Sequence, residues 1–362
     1  MTTTAIAPTN IAILKYWGKN PAWEEYLIPT KSSLSFTVDG LETRTSVKAV
    51  KSAGTAPGIS FSLNGREIHP EMKEYEYVAG FLEKVGRFFP FVRAYDYRIV
   101  SENNFPTSAG FASSASGFAA LIKAMAGEIS EFGRLSEDEA KLSALARLGS
   151  GSATRSIPSK GGIVLWERGM DFRPHRKARG GKDEIEKAMY SSIARTVYPP
   201  EHWPELSIIY AKVEAEEKKV KSRAGMKASI ETNPLYDEWV GYEEGRMKRE
   251  MIEAAGKKDF PALAGLIMRA SNNLHQICLG TYPPIIYLNS TSIDIIDSIH
   301  QLNSGGTVKA AYTFDAGPNA VVFCLRKDED SVAGMLEGIV GKAAVTRSRM
   351  GPGARYSKDH LF

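Results

Sequence analysis

Asn104-Phe105-Pro106-Thr107-Ser108-Ala109-Gly110-Phe111-Ala112-Ser113-Ser114-Ala115-Ser116-Gly117 is a run of mostly small residues, and it leads straight into an apolar, alanine-rich helical pattern from Phe118 to Met125. Small side chains let backbone N–H groups approach an oxyanion closely. The helix that follows adds its unpaired N–H groups and the positive end of its dipole at the same point. Ser108, Ser113 and Ser114 supply hydroxyl donors, and Gly110 leaves the backbone bare. The run reads as a phosphate cradle, with a Ser/Gly-rich turn capping a buried helix as the structural alternative. It is not a P-loop, because the Gly-Lys-Ser/Thr ending is missing.

Upstream of the cradle, the pattern predicts a strand at Tyr95–Val100 and a helix at Glu71–Phe89. Before these come strands at Ser33–Val38, Thr43–Val50 and Ile59–Leu63, the last followed by an Asn64-Gly65 turn. The first strand runs from Ala5 into Lys15-Tyr16-Trp17-Gly18-Lys19. A lysine inside an apolar run needs a partner, so Lys15 reads as a cation aimed into a cleft rather than a snorkelling strand end. Downstream, Ser136-Glu137-Asp138-Glu139 starts a helix that reaches Leu148. Gly149-Ser150-Gly151-Ser152 follows as a second small, hydroxyl-bearing stretch, and it carries Arg155, whose planar fork suits a carboxylate or phosphate. Gly161–Trp166 reads as a strand. Arg168 to Lys187 is basic and aperiodic, either a solvated loop or a cationic lid.

Pro199–Pro204 marks a boundary turn, so the expected division is 1–198 and 199–362. A strand at Leu206–Val213 opens the second part. Helices follow at Leu235–Gly256, Phe260–Leu279 and Ser290–Leu302, then a strand–turn–strand over Ala310–Phe323. Asp315 stands at that turn in an uncharged, apolar setting, so it either caps the turn or acts chemically.

Composition narrows the classes. The chain has 362 residues, 43% of them hydrophobic, enough for two lobes sharing a cleft. A net charge of +4 is too mild to imply nucleic acid, yet it fits a basic cleft for a small polyanion. No apolar run reaches the ~20 residues of a membrane span, and the N-terminus lacks a signal-peptide layout. The expectation is therefore a cytoplasmic protein with no membrane or nucleic-acid partner. Cys278 and Cys324 lie in apolar contexts and make no metal-ligand spacing, so no metal site is expected.

Taken in order, these pieces resemble the GHMP kinase superfamily, and within it the diphosphomevalonate decarboxylases. The resemblance rests on Lys15–Lys19, Asn104–Gly117, Gly149–Ser152 with Arg155-Ser156, and Gly225-Met226. It continues through Ser271-Asn272 with His275, Pro283–Asn289 and Tyr312–Ala320. It implies an α+β fold with a ribosomal-S5-like N-terminal lobe, a ferredoxin-like C-terminal lobe and the site between them. It implies a phosphorylated mevalonate as substrate, decarboxylated in isoprenoid biosynthesis, with a homodimer left open. Carried over residue by residue, it makes Asp315, Lys15 and Arg155 catalytic. Tyr16, Lys19, Ser108, Gly110, Ser113, Ser114, Ser150, Ser152 and Ser222 become phosphate or substrate ligands. The family's 5-diphosphate arginine, expected near Lys73 and Glu74, is not present as arginine, and Lys73 is the candidate in its place.

Lys31 stands where the family usually has asparagine, Lys160 lies in an extra Pro-Ser-Lys piece, and Arg168–Lys187 is longer and more basic than the family's connection. With these added cations beside the cleft, the expectation is a decarboxylase of mevalonate 3,5-bisphosphate. It would give isopentenyl phosphate, CO2 and phosphate with no cofactor. The alternatives are ATP-dependent diphosphomevalonate decarboxylase, using ATP and Mg, and, from another class, a GHMP small-molecule kinase.

Overall fold

The computed structural model describes residues 1–54, 57–105, 113–171, 181–213 and 219–362. Its first sheet has eight strands. In chain order these are β1 (Thr3–Leu14), β2 (Ser33–Lys51), β3 (Ile59–Leu63), β4 (Arg66–Ile68), β5 (Tyr95–Asn103), β6 (Ile163–Trp166) and β7 (Ala194–Tyr198). The eighth joins from the far end of the chain. The spatial order is that last strand, then β1, β2, β5, β3 and β4, while β6 branches from β2 and carries β7. The two strands expected at 33–38 and 43–50 are one continuous strand. Gly40, at φ +70°, lies where the β1–β2 register shifts between Pro8↔Glu42 and Asn10↔Thr37, and β2 pairs with β1 on either side of it. Its first part pairs with β6 and its second with β5.

Helices α1 (Lys73–Phe88), α2 (Ser113–Glu128), α3 (Glu139–Arg147) and α4 (Lys182–Ser191) belong to this half. The α2 helix buries Ala115, Ala119, Ala120, Leu121, Ile122 and Met125, and it packs on β1 and β2. Its alanines let the helix lie close to the sheet. Asp138, two residues after the expected start at Ser136, accepts from the Lys141 N–H and caps α3. α4 falls in the aperiodic basic stretch and β7 just beyond it; neither was anticipated.

The second sheet is antiparallel and four-stranded, made of β8 (Leu206–Ala211), β9 (Ala310–Phe314), β10 (Ala320–Leu325) and β11 (Val345–Arg349) in the order β11-β8-β10-β9. The helix expected at 235–256 is three pieces: α6 (Tyr236–Tyr242), a π-helical turn at Glu243–Met247, and α7 (Lys248–Gly256). Before it lies α5 (Ser222–Thr232), which Gly225 hides from propensity reasoning. α8 (Phe260–Leu279) is N-capped by Asp259, and α9 (Ser290–Asn303) by an Asn289/Ser292 capping box. α10 (Glu329–Val340) packs with α9 on one sheet face, while α8 covers the other. The final strand β12 (Arg355–Ser357) returns to the first sheet and pairs with Thr4–Ile6 of β1.

Two cores meet along β1. Ala5 and Ala7 pack into the first, while Ile11, Ile13 and Leu14 pack into the second, against α8 and the four-stranded sheet. The C-terminal end of β1 therefore opens where the two halves face each other. Cys278 and Cys324 are buried and free. No described helix is long and apolar enough to cross a membrane.

Candidate active site

Lys15 directly follows β1, and Asp315 directly follows β9. The two strand ends converge, and Lys15 Nζ donates to Asp315 Oδ1 at 2.7 Å. Lys15 is 1% exposed, whereas the Asp315 side chain is 55% exposed and faces a cavity of about 400 Å³. Burial lowers the Lys15 pKa below the ordinary 10.5, with the Asp315 carboxylate opposing that shift.

Arg155 comes from a 3-10 turn, Gly151–Ser156, and is 4% exposed. Its Nε donates to Asn10 Oδ1 and a terminal nitrogen to Ser33 Oγ, both at 2.9 Å. Among the described residues no carboxylate pairs with it. Burial pulls its pKa down to about 10, so it remains a cation at neutral pH. Asn10 is itself fixed, donating to the Ser152 carbonyl at 3.0 Å and Ser156 Oγ at 2.7 Å. A buried cation hydrogen-bonded to neutral groups, with the Asp315 carboxylate acting on it at the same cavity, is placed to meet an incoming anion.

The same cavity collects Tyr16, Lys19, Ser113, Ser114, Ser150, Ser152 and Ser222. A hydroxyl chain links Ser114 to Ser150 and Ser150 to Ser152, each step 3.2 Å, and so ties the N-terminus of α2 to the loop before Arg155. A Cβ on Gly151 would lie 2.7 Å from the Tyr16 ring, so only glycine lets this loop rest on Tyr16. Burial pushes the Tyr16 phenol up to about 12, leaving it a neutral donor.

At the mouth, Lys19, Lys84 and Arg223 line an adjoining recess. Burial lowers the pKa values of Lys19 and Lys84, and Arg223 adds to both shifts. On the other side of the α2 N-terminus is an apolar cavity of about 350 Å³ lined by Phe61, Leu63, Tyr77, Ile99 and Phe118. It shares Ser113 and Ser114 with the polar cavity.

Ser108 and Gly110 lie outside the described residues, as do the cations between Arg173 and Arg179. Lys73 is exposed in the first turn of α1 and lines neither cavity; Lys84, further along the same helix, is the residue that reaches the recess. Of the cations expected to crowd the cleft, Lys31, Lys160 and Arg168 do not line it. Lys31 is 1% exposed and paired with Glu243, Lys160 is exposed on a turn, and Arg168 pairs with Asp171 at 2.9 Å. Asn10, Lys84, Arg223 and Met226 were missed as cavity residues. Arg223 is next to Ser222, and a correct reading of α5 as a helix start would have exposed it. Asn10 follows a β-bulge at Pro8, which only strand register reveals.

Residues 7–178 match the family model for a diphosphomevalonate decarboxylase-like N-terminal domain, and residues 208–355 match the mevalonate 5-diphosphate decarboxylase C-terminal domain. The chain belongs to the diphosphomevalonate decarboxylase family. The family's diphosphomevalonate decarboxylase of Aspergillus fumigatus is 38% identical over 347 residues, covering 93% of this chain and 80% of that one. The mevalonate diphosphate decarboxylase from Enterococcus faecalis, solved in work on mevalonate-diphosphate-mediated ATP binding, superposes with a TM-score of 0.82 at 32% identity and 99% coverage of both chains. A structure described as MDDEF in complex with MVAPP, AMPPCP and magnesium gives 0.83, also at 32% identity and 99% coverage of both. The chain is thus a carboxy-lyase of the mevalonate pathway within the GHMP kinase superfamily.

These relatives correct one expectation. The cofactor-free reading rested on added cations at Lys31, Lys160 and Arg168–Lys182. The first two do not reach the cleft, and a family member with the same fold is solved with AMPPCP and magnesium. The Ser113–Ser114 cradle was the feature that argued for a nucleotide.

Proposed function

We propose that the chain is an ATP-dependent diphosphomevalonate decarboxylase, converting mevalonate 5-diphosphate and ATP to isopentenyl diphosphate, CO2, phosphate and ADP. The observation that carries this reading is the pair of cavities sharing Ser113 and Ser114. The apolar cavity, with Phe61, Tyr77 and Phe118, suits a nucleobase, and the α2 N-terminus suits its phosphates. The polar cavity suits a substrate that is anionic at both its carboxylate and its diphosphate end. The nucleotide therefore fits the residues present, and magnesium commonly arrives with such phosphates rather than in an all-protein cage. When bound, ATP supplies the phosphoryl group that turns the C3 oxygen into a leaving group.

The chain's own residues do the rest. Lys15 keeps Asp315 ionised, and Asp315 faces the cavity to take the proton of the C3 hydroxyl. As phosphate departs and positive charge builds at C3, the same carboxylate favours that charge. Arg155 holds the substrate carboxylate in line for loss as CO2. Ser150, Ser152, Ser222, Tyr16 and Lys19 hold the 5-diphosphate, with Arg223 and Lys84 in the place expected for Lys73. The division at residue 198 into a lobe carrying the phosphate loop and a second lobe carrying Asp315 belongs to the same proposal.

The test is direct. Mevalonate 5-diphosphate with Mg-ATP releases CO2 and ADP one to one, and omitting the nucleotide abolishes both. CO2 release from any phosphorylated mevalonate without nucleotide refutes the reading.

A further inference from the structure

Among the described residues, Lys31 and Glu243 form the most deeply buried ion pair, with side chains 1% and 0% exposed and Nζ 2.7 Å from Oε2. Neither lines the cavity. The Lys31 ammonium also sits 4.7 Å from the Trp239 ring centre and donates to the backbone carbonyl of Lys15. That carbonyl needs such a donor. The β1–β2 ladder ends with Leu14 opposite Leu34, so Lys15 is the first residue beyond it.

The neighbours of Lys31 are held in the same way. The Thr30 hydroxyl meets Tyr236 Oη at 2.8 Å, and that phenol donates to the Trp17 carbonyl at 2.5 Å. Ser32 gives its N–H to Glu244 Oε2 at 2.6 Å and its hydroxyl to Glu244 Oε1 at 3.0 Å. Three successive residues of the first half are thus gripped by Tyr236, Glu243 and Glu244 of the second. The two glutamates open the π-helical turn at Glu243–Met247. Such turns break helical regularity and recur at functional sites. Glu243 is steadied in turn by Asn273 Nδ2 at 3.2 Å.

A buried ion pair is weak evidence of stability, because apolar residues of similar volume commonly serve the fold as well. Here the cation has a second task, since the carbonyl it holds belongs to the residue that contacts Asp315. We propose that Lys31 is a positioning residue: its buried pair with Glu243 fixes the backbone of Lys15 and thereby the Lys15–Asp315 contact that faces the substrate. This rests on the proposed role of Lys15. The strap Thr30–Ser32 clasps the two halves, and Lys31 converts that clasp into a set position for one ammonium group. The phosphate-holding residues Lys19, Ser150, Ser152 and Arg223 bond to Glu24, to one another and to the Gly149 carbonyl rather than to the pair, so its loss acts on the chemical step rather than on substrate affinity.

The experiment replaces the pair together, because either single change strands a buried charge. Lys31→Met/Glu243→Leu and Lys31→Met/Glu243→Gln are compared with wild type by thermal melting and steady-state kinetics, with Lys15→Ala as control. Both double variants are expected to melt cooperatively near the wild-type temperature. Their kcat falls roughly 10- to 100-fold, the cost of a displacement of about 1 Å at a reacting group. KM for mevalonate 5-diphosphate stays within about threefold of wild type, whereas general loosening of the cleft raises KM and lowers kcat together. A folded double variant with wild-type kcat, or one whose loss lies in KM, overturns the inference. Failure of both to fold also overturns it, because the pair is then a requirement of the fold. Full activity in Lys15→Ala would instead remove the reading of Lys15 on which the inference stands.

Discussion

Lys15 and Asp315 lie 300 positions apart in the chain and 2.7 Å apart in space. Each was legible alone, because a charge inside an apolar run has few bland explanations. Their roles are separable by experiment. Asp315→Asn keeps the shape and the hydrogen-bonding capacity but loses the charge, so decarboxylation falls by roughly 10²-fold or more. Substrate affinity changes little, and single-turnover CO2 release measures the difference. Lys15 must be protonated to hold Asp315, and burial has moved its pKa below 10.5. Activity therefore declines on the alkaline side at a pH below 10.5, as the ammonium loses its proton. A kcat–pH profile in which Lys15→Arg fails to move that limb upward would sever the link. Lys31 shows the limit of residue-level reading. It reads in sequence as an added cation beside the cleft, but its partner Glu243 is invisible until the chain folds.

At the scale of elements, α2 is the clearest case of sequence specifying structure. Its alanines match a close-packed helix, which is what forms, and Ser113 and Ser114 in its first turn line the polar cavity. The apolar cavity beside it is different, since β2, β3, α1, β5 and α2 each contribute two to five of its residues. Tyr77→Ala removes a ring from that cavity, and with it the ring over which the Arg223 guanidinium sits at 5.3 Å. If a nucleobase lies there, KM for ATP rises about 5- to 100-fold, the scale of losing one aromatic stacking partner. KM for mevalonate 5-diphosphate rises less, through loss of the single cation–π contact to Arg223. Equal effects on both constants would place the base elsewhere. The π-helical turn was not legible, because Glu243–Met247 keeps the periodicity of its flanking helices and only tertiary contacts expose the extra residue.

Across the whole molecule, the C-terminal strand closes the fold. β12 pairs with β1 and covers what would be an open edge, and Arg355 makes a bidentate contact to Glu42 at 2.8 and 2.9 Å. Removing residues 355–362 lowers the melting temperature by several degrees, at roughly 2–4 °C per kcal/mol for domains of 150–250 residues. It also promotes aggregation through the exposed edge; light scattering alongside melting checks both, and an unchanged melt would show that β12 is dispensable. By itself, the sequence determined the family, the two-part α+β architecture and the charged residues at strand ends, because periodicity, turn chemistry and isolated charges act over a few neighbouring positions. The tertiary structure alone decided which cations face the cleft. It replaced Lys73 with Lys84 and Arg223, withdrew Lys31 into an ion pair, and set a second cavity across Ser113 and Ser114. The reason is physical: whether a charge meets solvent, a ligand or a buried partner depends on groups hundreds of residues away, and no local pattern encodes that distance.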